Sequence, residues 1–411
     1  MVETKTLKNG VRVIVKRMEG LLSVTMGILV GTGAAYESDS EDGISHFIEH
    51  MQFKGTATRT AFEISDAFDA LGAQVNAFTG KDLTCYYSKA TSDHAQEAFS
   101  LLADLFLNST FPDEEMAREK GVVLEEINMC EDTPEDLCLD LLSLASYGKT
   151  GYGRNILGPA SNVNGFTRED IFAYKKARYT PDNIVVSFAG NLPSEEAVAL
   201  VERYFGDMNA VPCEKRKIVT KRQSANLFKQ KPIEQAHFAF GFDGVCRNSP
   251  DYDAVQVMNA VLGGGMSSRL FMRVREELGL AYSVYSYTSH YEDAGSLTVY
   301  AGVNPQKAEE AAKAVVSVLE TFIKDGITEQ EFLRGREQMK AGSIFSQENT
   351  SSQMLLYGKE MLYNNDVYDF EKRMQEISRL TLDDVLRVSK QIDFSKAAVA
   401  SVGNLKKAIA L

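Results

Sequence analysis

Two histidines and a glutamate lie within five consecutive residues, His46-Phe47-Ile48-Glu49-His50. Positions three and four apart share one face of an α-helix, so the two imidazoles and the carboxylate converge if this segment is helical. Imidazole nitrogens suit zinc, and a catalytic zinc takes three protein ligands and one water. A carboxylate beside that water can take its proton, which gives a nucleophile at neutral pH. The glutamate directly precedes the second histidine, which is the inverted order of the familiar metallopeptidase motif.

The alternative interpretation of this motif is an exposed amphipathic helix with two solvated histidines. The neighbouring residues argue against it, because several are apolar and would bury part of the helix: Phe47, Ile48, Met51 and Phe53. A buried imidazole or carboxylate without a partner is costly, and a bound cation would remove that cost. We therefore interpret the segment as a zinc site.

A third protein ligand must come from another segment, and glutamates between residues 119 and 126 are the candidates. Glu119 and Glu126 are seven residues apart, which is two helical turns, and so they share one helix face. Glu125 points about a quarter turn away. Paired glutamates on a helix commonly form a solvated face, so these residues alone leave the choice open.

Composition and charge limit the class of protein. The chain has 411 residues and is 44% hydrophobic, which indicates two or three domains with real cores. A net charge of −13 argues against nucleic acid or an anionic membrane as a partner and permits a basic peptide. The five cysteines are an odd number without zinc-ribbon spacing, which favours reduced thiols. No apolar run could span a membrane and no signal sequence is evident, so we expect a cytoplasmic protein, with a removed presequence left open.

Hydrophobic periodicity predicts the elements that must position these residues in the first half of the chain. The predicted strands cover about 11–17, 22–30, 73–78, 83–90 and 182–190, and the predicted helices cover about 43–54, 60–71, 92–108, 113–146, 167–178 and 194–205. Strands and long helices are mixed without strict alternation. This favours an α+β fold in which helices pack on one face of a mostly antiparallel sheet.

Two segments recur at an offset of roughly 210 residues. The stretch 167–192 resembles 381–405, since each begins a helix with acidic residues and ends a strand with Gly-Asn-Leu. The stretch 83–98 resembles 297–311 in the same way. We therefore predict two homologous halves. They are an N-terminal zinc-binding domain at 1–213, a linker at 214–231 and a non-catalytic C-terminal domain at 232–411.

The sequence HFIEHMQFKGT, which begins at His46, resembles the signature of the pitrilysin/insulinase family of inverted-motif zinc peptidases. Length and layout resemble its mitochondrial-processing-peptidase-like branch, and the resemblance covers essentially the whole chain. It implies one zinc ion per chain, held by His46, His50 and Glu126, which stands 76 residues after the second histidine. It also implies that Glu49 is the general base and that Glu119 supports the catalytic site.

Residues 76–80, Asn-Ala-Phe-Thr-Gly, resemble the edge strand with which this family pairs the substrate backbone. The candidate substrate-binding residues are therefore Asn76, Ala77 and Phe78, together with Phe53 beside the zinc motif. Recognition by an edge strand implies an extended, unfolded peptide as the substrate.

Arg275 and Tyr282, seven residues apart, resemble a pair with which the family holds a substrate carbonyl and stabilises the oxyanion. The second half carries no His-x-x-Glu-His, as expected of the non-catalytic repeat. The resemblance further implies a chamber closed by a second subunit. A homodimer is the simpler form, and Arg275 and Tyr282 would then act in trans.

The resemblance thus predicts a zinc-dependent endopeptidase. The alternative is a non-catalytic scaffold or subunit-recognition relative, but such relatives have a degraded zinc motif, and this one is intact. Residues 113–136 hold ten acidic and two basic side chains, which form either a solvated helix face or an acidic wall that attracts cationic peptides. One residue departs from the family pattern, because Gln52 stands where an apolar residue is usual.

Overall fold

Strands rich in Val, Ile, Phe and Tyr build two sheets in the computed structural model, which describes residues 2–214, 218 and 220–411. The described strands are β1 (Val2–Thr6), β2 (Arg12–Arg17), β3 (Ser23–Val30), β4 (Gln74–Thr79), β5 (Thr84–Thr91), β6 (Ile184–Gly190), β7 (Asn226–Gln230), β8 (Ala236–Asp243), β9 (Ala281–His290), β10 (Gly295–Val303) and β11 (Ala398–Gly403).

The α-helices of the described residues are α1 (Ile44–Met51), α2 (Ala61–Ala70), α3 (Ala95–Asn108), α4 (Asp113–Asp132), α5 (Pro134–Tyr147), α6 (Ala160–Gly165), α7 (Arg168–Arg178), α8 (Ser194–Phe205), α9 (Tyr252–Leu262), α10 (Ala308–Asp325), α11 (Glu329–Ser346), α12 (Thr350–Asn364), α13 (Phe370–Arg379) and α14 (Leu382–Ser389). A π-helical segment, Phe271–Glu277, precedes β9. No helix among the described residues is long and apolar enough to cross a membrane.

The chain forms two compact units, each with one sheet. The first unit comprises residues up to 127, 155–218 and 345–369, and the second comprises 128–154, 219–344 and 370–411. Helix α5 therefore belongs to the second unit and helix α12 to the first, although each comes from the other half of the sequence.

The two sheets share one topology apart from β1, which has no counterpart among the described strands of the second sheet. The first has the strand order β1-β2-β6-β3-β5-β4 and the second β7-β11-β8-β10-β9. Only β2 with β6 and β7 with β11 run parallel among the described pairs, and every other pair is antiparallel. The prediction of an α+β fold with two mostly antiparallel sheets is confirmed. Strand β4 lies at the edge of the first sheet, where its outer side has no partner strand among the described residues.

Each sheet is covered on both faces. The main helical layer of the first unit packs on one face through buried aromatic residues that include Phe47, Phe99, Phe106 and Phe188. The opposite face is covered by α12, whose Met354 and Tyr357 pack on the sheet. In the second unit, α5 packs in the same manner on the face opposite the main helical layer. The sequence predicted helices on one face of each sheet. The structure has one further helix on the opposite face of each sheet, α12 on the first and α5 on the second.

Most predicted elements are present within one to three residues of their expected bounds. The predicted helical region 113–146 is two helices, because Pro134 has no N–H to continue the hydrogen-bond pattern and instead begins α5. Strand β1 was not predicted. Part of the proposed linker, residues 215–217 and 219, lies outside the described residues, and β7 occupies 226–230 of the same stretch. The boundaries of the two homologous domains remain a prediction.

The recurring sequence segments have the same local structure. Thr167 and Thr381 each form a capping box, with Asp170 and Asp384 respectively. Strands β6 and β11 each end in a glycine with positive φ, 140° at Gly190 and 149° at Gly403. A side chain is excluded at both places by the neighbouring strand, which explains why the glycine recurs.

Replacing Gly190 with alanine should therefore destabilise the first unit. A Cβ atom there would lie 2.4 Å from the carbonyl oxygen of Ser23, at a φ that L residues rarely adopt. We expect a loss of more than about 2 kcal/mol in the free energy of unfolding, measured by chemical denaturation. Gly342→Ala, in α11 with open space around it, is the control and should be neutral or stabilising. Equal stability of Gly190→Ala and the parent chain would contradict this account.

Candidate metal centre

Helix α1 carries the histidine motif and is anchored at its first turn. Gly43 begins the helix with a φ of 95°, and the buried carboxylate of Glu37 accepts hydrogen bonds from the amides of Gly43 and Ser45, each at 2.8 Å. Burial raises the pKa of Glu37 to about 8. The apolar face of the helix, with Phe47 and Ile48 fully buried, packs into the first core. The helix is therefore held rigidly while its polar residues face the site.

The histidine motif and α4 meet in the structure. The Oε2 atom of Glu126 lies 3.6 Å from Nε2 of His46 and 3.4 Å from Nε2 of His50. The described residues contain one cluster whose ligand atoms could hold a metal ion, and these three residues form it, with the atoms within 4.8 Å of one another. Met116, Glu119 and Val123 are the buried residues of α4, so its packed face also carries Glu126 toward the site.

The residues present fit a zinc ion. Tetrahedral zinc with bonds of about 2.0–2.2 Å holds its ligand atoms roughly 3.3–3.6 Å apart. The two distances from Glu126 to the histidines match that spacing. Oε2 of Glu126 is buried and has no hydrogen-bond partner among the described residues, which is the state expected of an atom that binds a cation.

A second set of contacts supports His50. Its Nδ1 donates a hydrogen bond to Oε1 of Glu119 at 2.8 Å, and Nζ of Lys54 lies 2.6 Å from the other oxygen of that carboxylate. This hydrogen bond assigns the proton to Nδ1 and leaves Nε2 directed at the cluster. His46 has no such support, because its Nδ1 is buried without a partner in the described part of the chain.

The electrostatics of the cluster favour a bound cation. Burial, together with the neighbouring His50, lowers the pKa of His46 to about 3, so His46 is neutral at pH 7 and can act as a ligand. Burial also acts to lower the pKa of His50, but the hydrogen bond to Glu119 and the surrounding carboxylates outweigh it and raise that pKa. The pKa of Glu119 is lowered, because His50 and Lys54 outweigh the effect of burial. A divalent cation would take the place of the proton that the carboxylates attract to His50.

Glu49 lies beside the cluster but is not part of the group that could bind the metal. Its Oε2 accepts a hydrogen bond from Oγ1 of Thr79 at 2.5 Å. Burial raises the pKa of Glu49, and the nearby Glu126 adds to that shift, whereas Thr79 and His50 oppose it. A carboxylate with a raised pKa beside a metal site is a suitable proton acceptor.

The contacts of Gln52 explain why a polar residue stands where the family usually has an apolar one. Its Oε1 accepts a hydrogen bond from Nζ of Lys175 at 3.1 Å, and its Nε2 donates to the carbonyl of Phe106 at 3.3 Å. The Lys175 ammonium also contacts the aromatic rings of Phe106, Phe111 and Tyr179. Burial lowers the pKa of Lys175 to about 7. Gln52 thus serves as a polar partner for a buried lysine and is turned away from the metal ligands.

Three of the candidate substrate-binding residues lie on a sheet edge to which a peptide strand could add. Asn76, Ala77 and Phe78 are in β4, on the open edge of the first sheet. The Oδ1 atom of Asn76 accepts a hydrogen bond from the amide of Ala77. Phe78 packs on the sheet face that α12 covers, and Phe53 is half-buried against the main core.

Arg275 and Tyr282 belong to the second unit. The Arg275 guanidinium lies over two rings, 4.7 Å from the centre of Phe271 and 5.2 Å from that of Tyr282. Tyr282 is 76% exposed, so its hydroxyl is open to solvent in the isolated chain. The two side chains contact each other, and their roles remain predictions.

Sequence reasoning missed three residues of the site: Glu37, Lys54 and Thr79. Lys54 is four residues after His50, and this helical spacing could have indicated that the lysine lies near the site. Thr79 is two residues after Ala77 and so lies on the same strand face, which could have indicated that it is near the site. No sequence signal indicates that Glu37 caps α1 from a preceding loop.

Comparisons with known proteins agree with this geometry. Residues 12–160 match the family described as insulinase (peptidase family M16), and residues 165–339 match the peptidase M16 inactive domain. An uncharacterised zinc protease of Bacillus subtilis is 41% identical over 413 residues, which are 98% of this chain and 100% of that protein. An uncharacterised zinc protease of Streptomyces coelicolor is 34% identical over 414 residues, covering 98% of this chain and 90% of that protein.

Two solved structures share the fold. A peptidase M16 inactive domain from Pseudomonas fluorescens has a TM-score of 0.92 at 23% identity and covers 100% of this chain and 99% of its own. A protease from Helicobacter pylori has a TM-score of 0.91 at 23% identity, with 98% and 99% covered. At this identity the likeness concerns the fold.

The support given by Glu119 can be measured as zinc affinity. Glu119→Gln removes the charge that fixes the His50 proton on Nδ1, so we expect zinc affinity to fall about 10- to 100-fold. Competition with a chromophoric chelator gives the dissociation constant. Glu125→Gln is the matched control, because Glu125 is exposed on the same helix. Equal zinc affinities for the two variants would contradict a supporting role for Glu119.

Proposed function

The chain belongs to the insulinase (M16) family of peptidases, and from this premise we propose that it is a zinc-dependent endopeptidase that hydrolyses extended, unfolded peptides. One observation carries the proposal. Oε2 of Glu126 lies at zinc spacing from Nε2 of His46 and of His50, the three atoms are within 4.8 Å of one another, and the carboxylate of Glu49 lies beside them. A structural zinc site is closed by four protein ligands, whereas three ligands and an adjacent base are the arrangement of a hydrolytic site.

The chemistry divides between the metal and the protein. Zinc, when bound by His46, His50 and Glu126, would polarise the scissile carbonyl and make water a better nucleophile. Glu49 takes a proton from the water as the water oxygen bonds to the carbonyl carbon. It then gives a proton to the amide nitrogen as the C–N bond breaks, which yields a carboxylate and an amine. Tyr282 donates a hydrogen bond to the oxyanion, and Arg275 holds a neighbouring substrate carbonyl.

The open edge of β4 supports the choice of substrate. A peptide that adds to this edge must be extended, because it exchanges main-chain hydrogen bonds along its length. Folded proteins should therefore be poor substrates. The acidic residues of α4 include Asp113, Glu114 and Glu115 in its first turn, and they favour cationic peptides through long-range attraction.

We also propose that the chain acts as a homodimer, in a chamber like that of the processing peptidases. The exposed Tyr282 and its partner Arg275 would then serve the zinc site of the partner subunit. Both the zinc ligands and this pair are present in one chain, so two copies suffice. The alternative is a non-catalytic scaffold, and the intact set of His46, Glu49, His50 and Glu126 argues against it.

The role of Glu49 as the base is tested by Glu49→Gln. Glutamine keeps the shape and can still accept the Thr79 hydrogen bond, but it cannot take a proton. We expect kcat for an unstructured, internally quenched peptide to fall about 10²- to 10⁴-fold, with about one zinc per chain retained. Glu97→Gln, an exposed residue on α3, is the control. A parent chain that carries no zinc and cleaves no peptide would favour the scaffold function.

The shared-site dimer is tested by mixing two inactive variants, Glu49→Gln and Tyr282→Phe. If the tyrosine acts in trans, a mixed dimer contains one site with both an intact glutamate and an intact tyrosine. Random reassociation should then restore about one quarter of the parent activity, measured with the same peptide. Each variant alone, carried through the same reassociation, is the control. No recovery in a mixture shown to contain mixed dimers would reject the proposal.

A further inference from the structure

Thr79 is the last residue of β4, the strand proposed to pair with the substrate, and its hydroxyl contacts Glu49, the proposed base. Side chains alternate along a strand, so Val75, Ala77 and Thr79 share one face. Val75 and Ala77 pack against the main core of the first unit, which includes the buried face of α1. Thr79 therefore points toward α1, where its hydroxyl reaches Glu49.

The main chain of Thr79 faces the open edge of the sheet. The amide of Gly80 donates to the carbonyl of Leu83 across the hairpin, so Gly80 turns its main chain inward, toward β5. Consecutive residues of an antiparallel ladder alternate between partners, so Thr79 and Ala77 turn their main chains outward. The amide of Ala77 agrees with this, because it is bonded to the side chain of Asn76. Thr79 thus presents its amide and carbonyl to an added strand.

We propose that Thr79 is a positioning residue that couples the edge strand to the base. Its main chain pairs with the substrate, and its hydroxyl donates the 2.5 Å hydrogen bond that fixes the Glu49 carboxylate. This inference rests on the proposed function. A peptide that pairs with β4 therefore hydrogen-bonds to the residue that already holds the base in its orientation.

The chemistry of threonine explains why a hydroxyl serves here. A glutamate side chain has three rotatable bonds, and without a donor it would sample orientations that do not face the water. Threonine is stiff at χ1 because it is β-branched, so the position of its oxygen is set by the strand. A hydroxyl donates one hydrogen bond without bringing a positive charge close to the metal.

The first test compares Thr79→Val with Thr79→Ser. Valine keeps the shape and removes the donor, so we expect kcat to fall about 10- to 100-fold, the effect of losing one hydrogen bond to a charged group. KM should change less than about twofold, because the main chain that binds the peptide is retained. Serine restores the donor and should keep kcat within about threefold of the parent.

The control is Thr84→Val, the residue paired with Thr79 across the hairpin. Its hydroxyl donates to the carbonyl of Thr32 and does not contact Glu49. This variant carries the same substitution in the same hairpin and should keep the parent kcat. Unchanged kcat in Thr79→Val, or equal losses in Thr79→Val and Thr79→Ser, would overturn the proposal.

A binding measurement separates this inference from the proposed function. A peptide hydroxamate chelates zinc and passes its acidic proton to an adjacent carboxylate, so its affinity reports the orientation of Glu49 without turnover. We expect Thr79→Val to weaken hydroxamate binding about 10-fold. A peptide without the hydroxamate group can be measured on the inactive Glu49→Gln variant, which does not cleave it. Its affinity for the double variant Glu49→Gln/Thr79→Val should differ from that for Glu49→Gln by less than about twofold.

The outcomes are then distinct. If the parent chain binds zinc but cleaves no peptide, the proposed function fails, and the hydroxamate affinities alone decide the role of Thr79. If Thr79→Val binds the hydroxamate as tightly as the parent does, the coupling is wrong, whatever the activity. A parent chain that binds neither zinc nor the hydroxamate overturns both proposals.

Discussion

Several negatively charged carboxylates surround two imidazoles in the first unit, and the arrangement of that unit depends on keeping this group stable. Three carboxylates, those of Glu49, Glu119 and Glu126, lie around His46 and His50 on a partly buried surface. Such a group is stable only if cations balance it and if every element that carries it is fixed from behind. Lys54 balances one carboxylate, and a divalent metal ion would balance the rest. The surrounding fold supplies the rigidity.

That rigidity comes from ordinary packing. Helix α1 buries its apolar face in the core, and Glu37 fixes its first turn, while the buried face of α4 places Glu119 and Glu126. Strand β4 adds Thr79 from a third element. Because helices and a strand carry His46, Glu49, His50, Glu119, Glu126 and Thr79, these side chains are positioned before a substrate arrives.

The sequence predicted the elements, and indicated candidate metal ligands, more readily than it predicted the contacts between elements. Helix α1 and strand β4 follow from local periodicity, and the motif spacing identified His46 and His50. Glu126 could be chosen over its neighbour Glu125 only through family resemblance, because local pattern does not show which helix face meets α1. Glu37 reaches α1 from a preceding loop, and no local pattern encodes such a contact. For the same reason the sequence could not show that α5 and α12 each join the unit whose sheet comes mainly from the other half of the sequence.

Apart from β1 the two sheets share a topology, yet among the described residues only the first unit has a group that could hold a metal ion, and the histidines show why. In the second unit, Nδ1 of His237 is hydrogen-bonded to the Tyr300 hydroxyl at 2.6 Å. Both ring nitrogens of His290 are bonded, to the carbonyl of Val245 and to the side chain of Gln256, each at 2.8 Å. These imidazoles are satisfied by the protein and have a structural role. In the first unit, the convergence of two Nε2 atoms on an oxygen of Glu126 that no protein donor satisfies leaves a place that a metal ion can fill. The chemistry of this fold is therefore decided by which polar atoms the packing leaves without a partner.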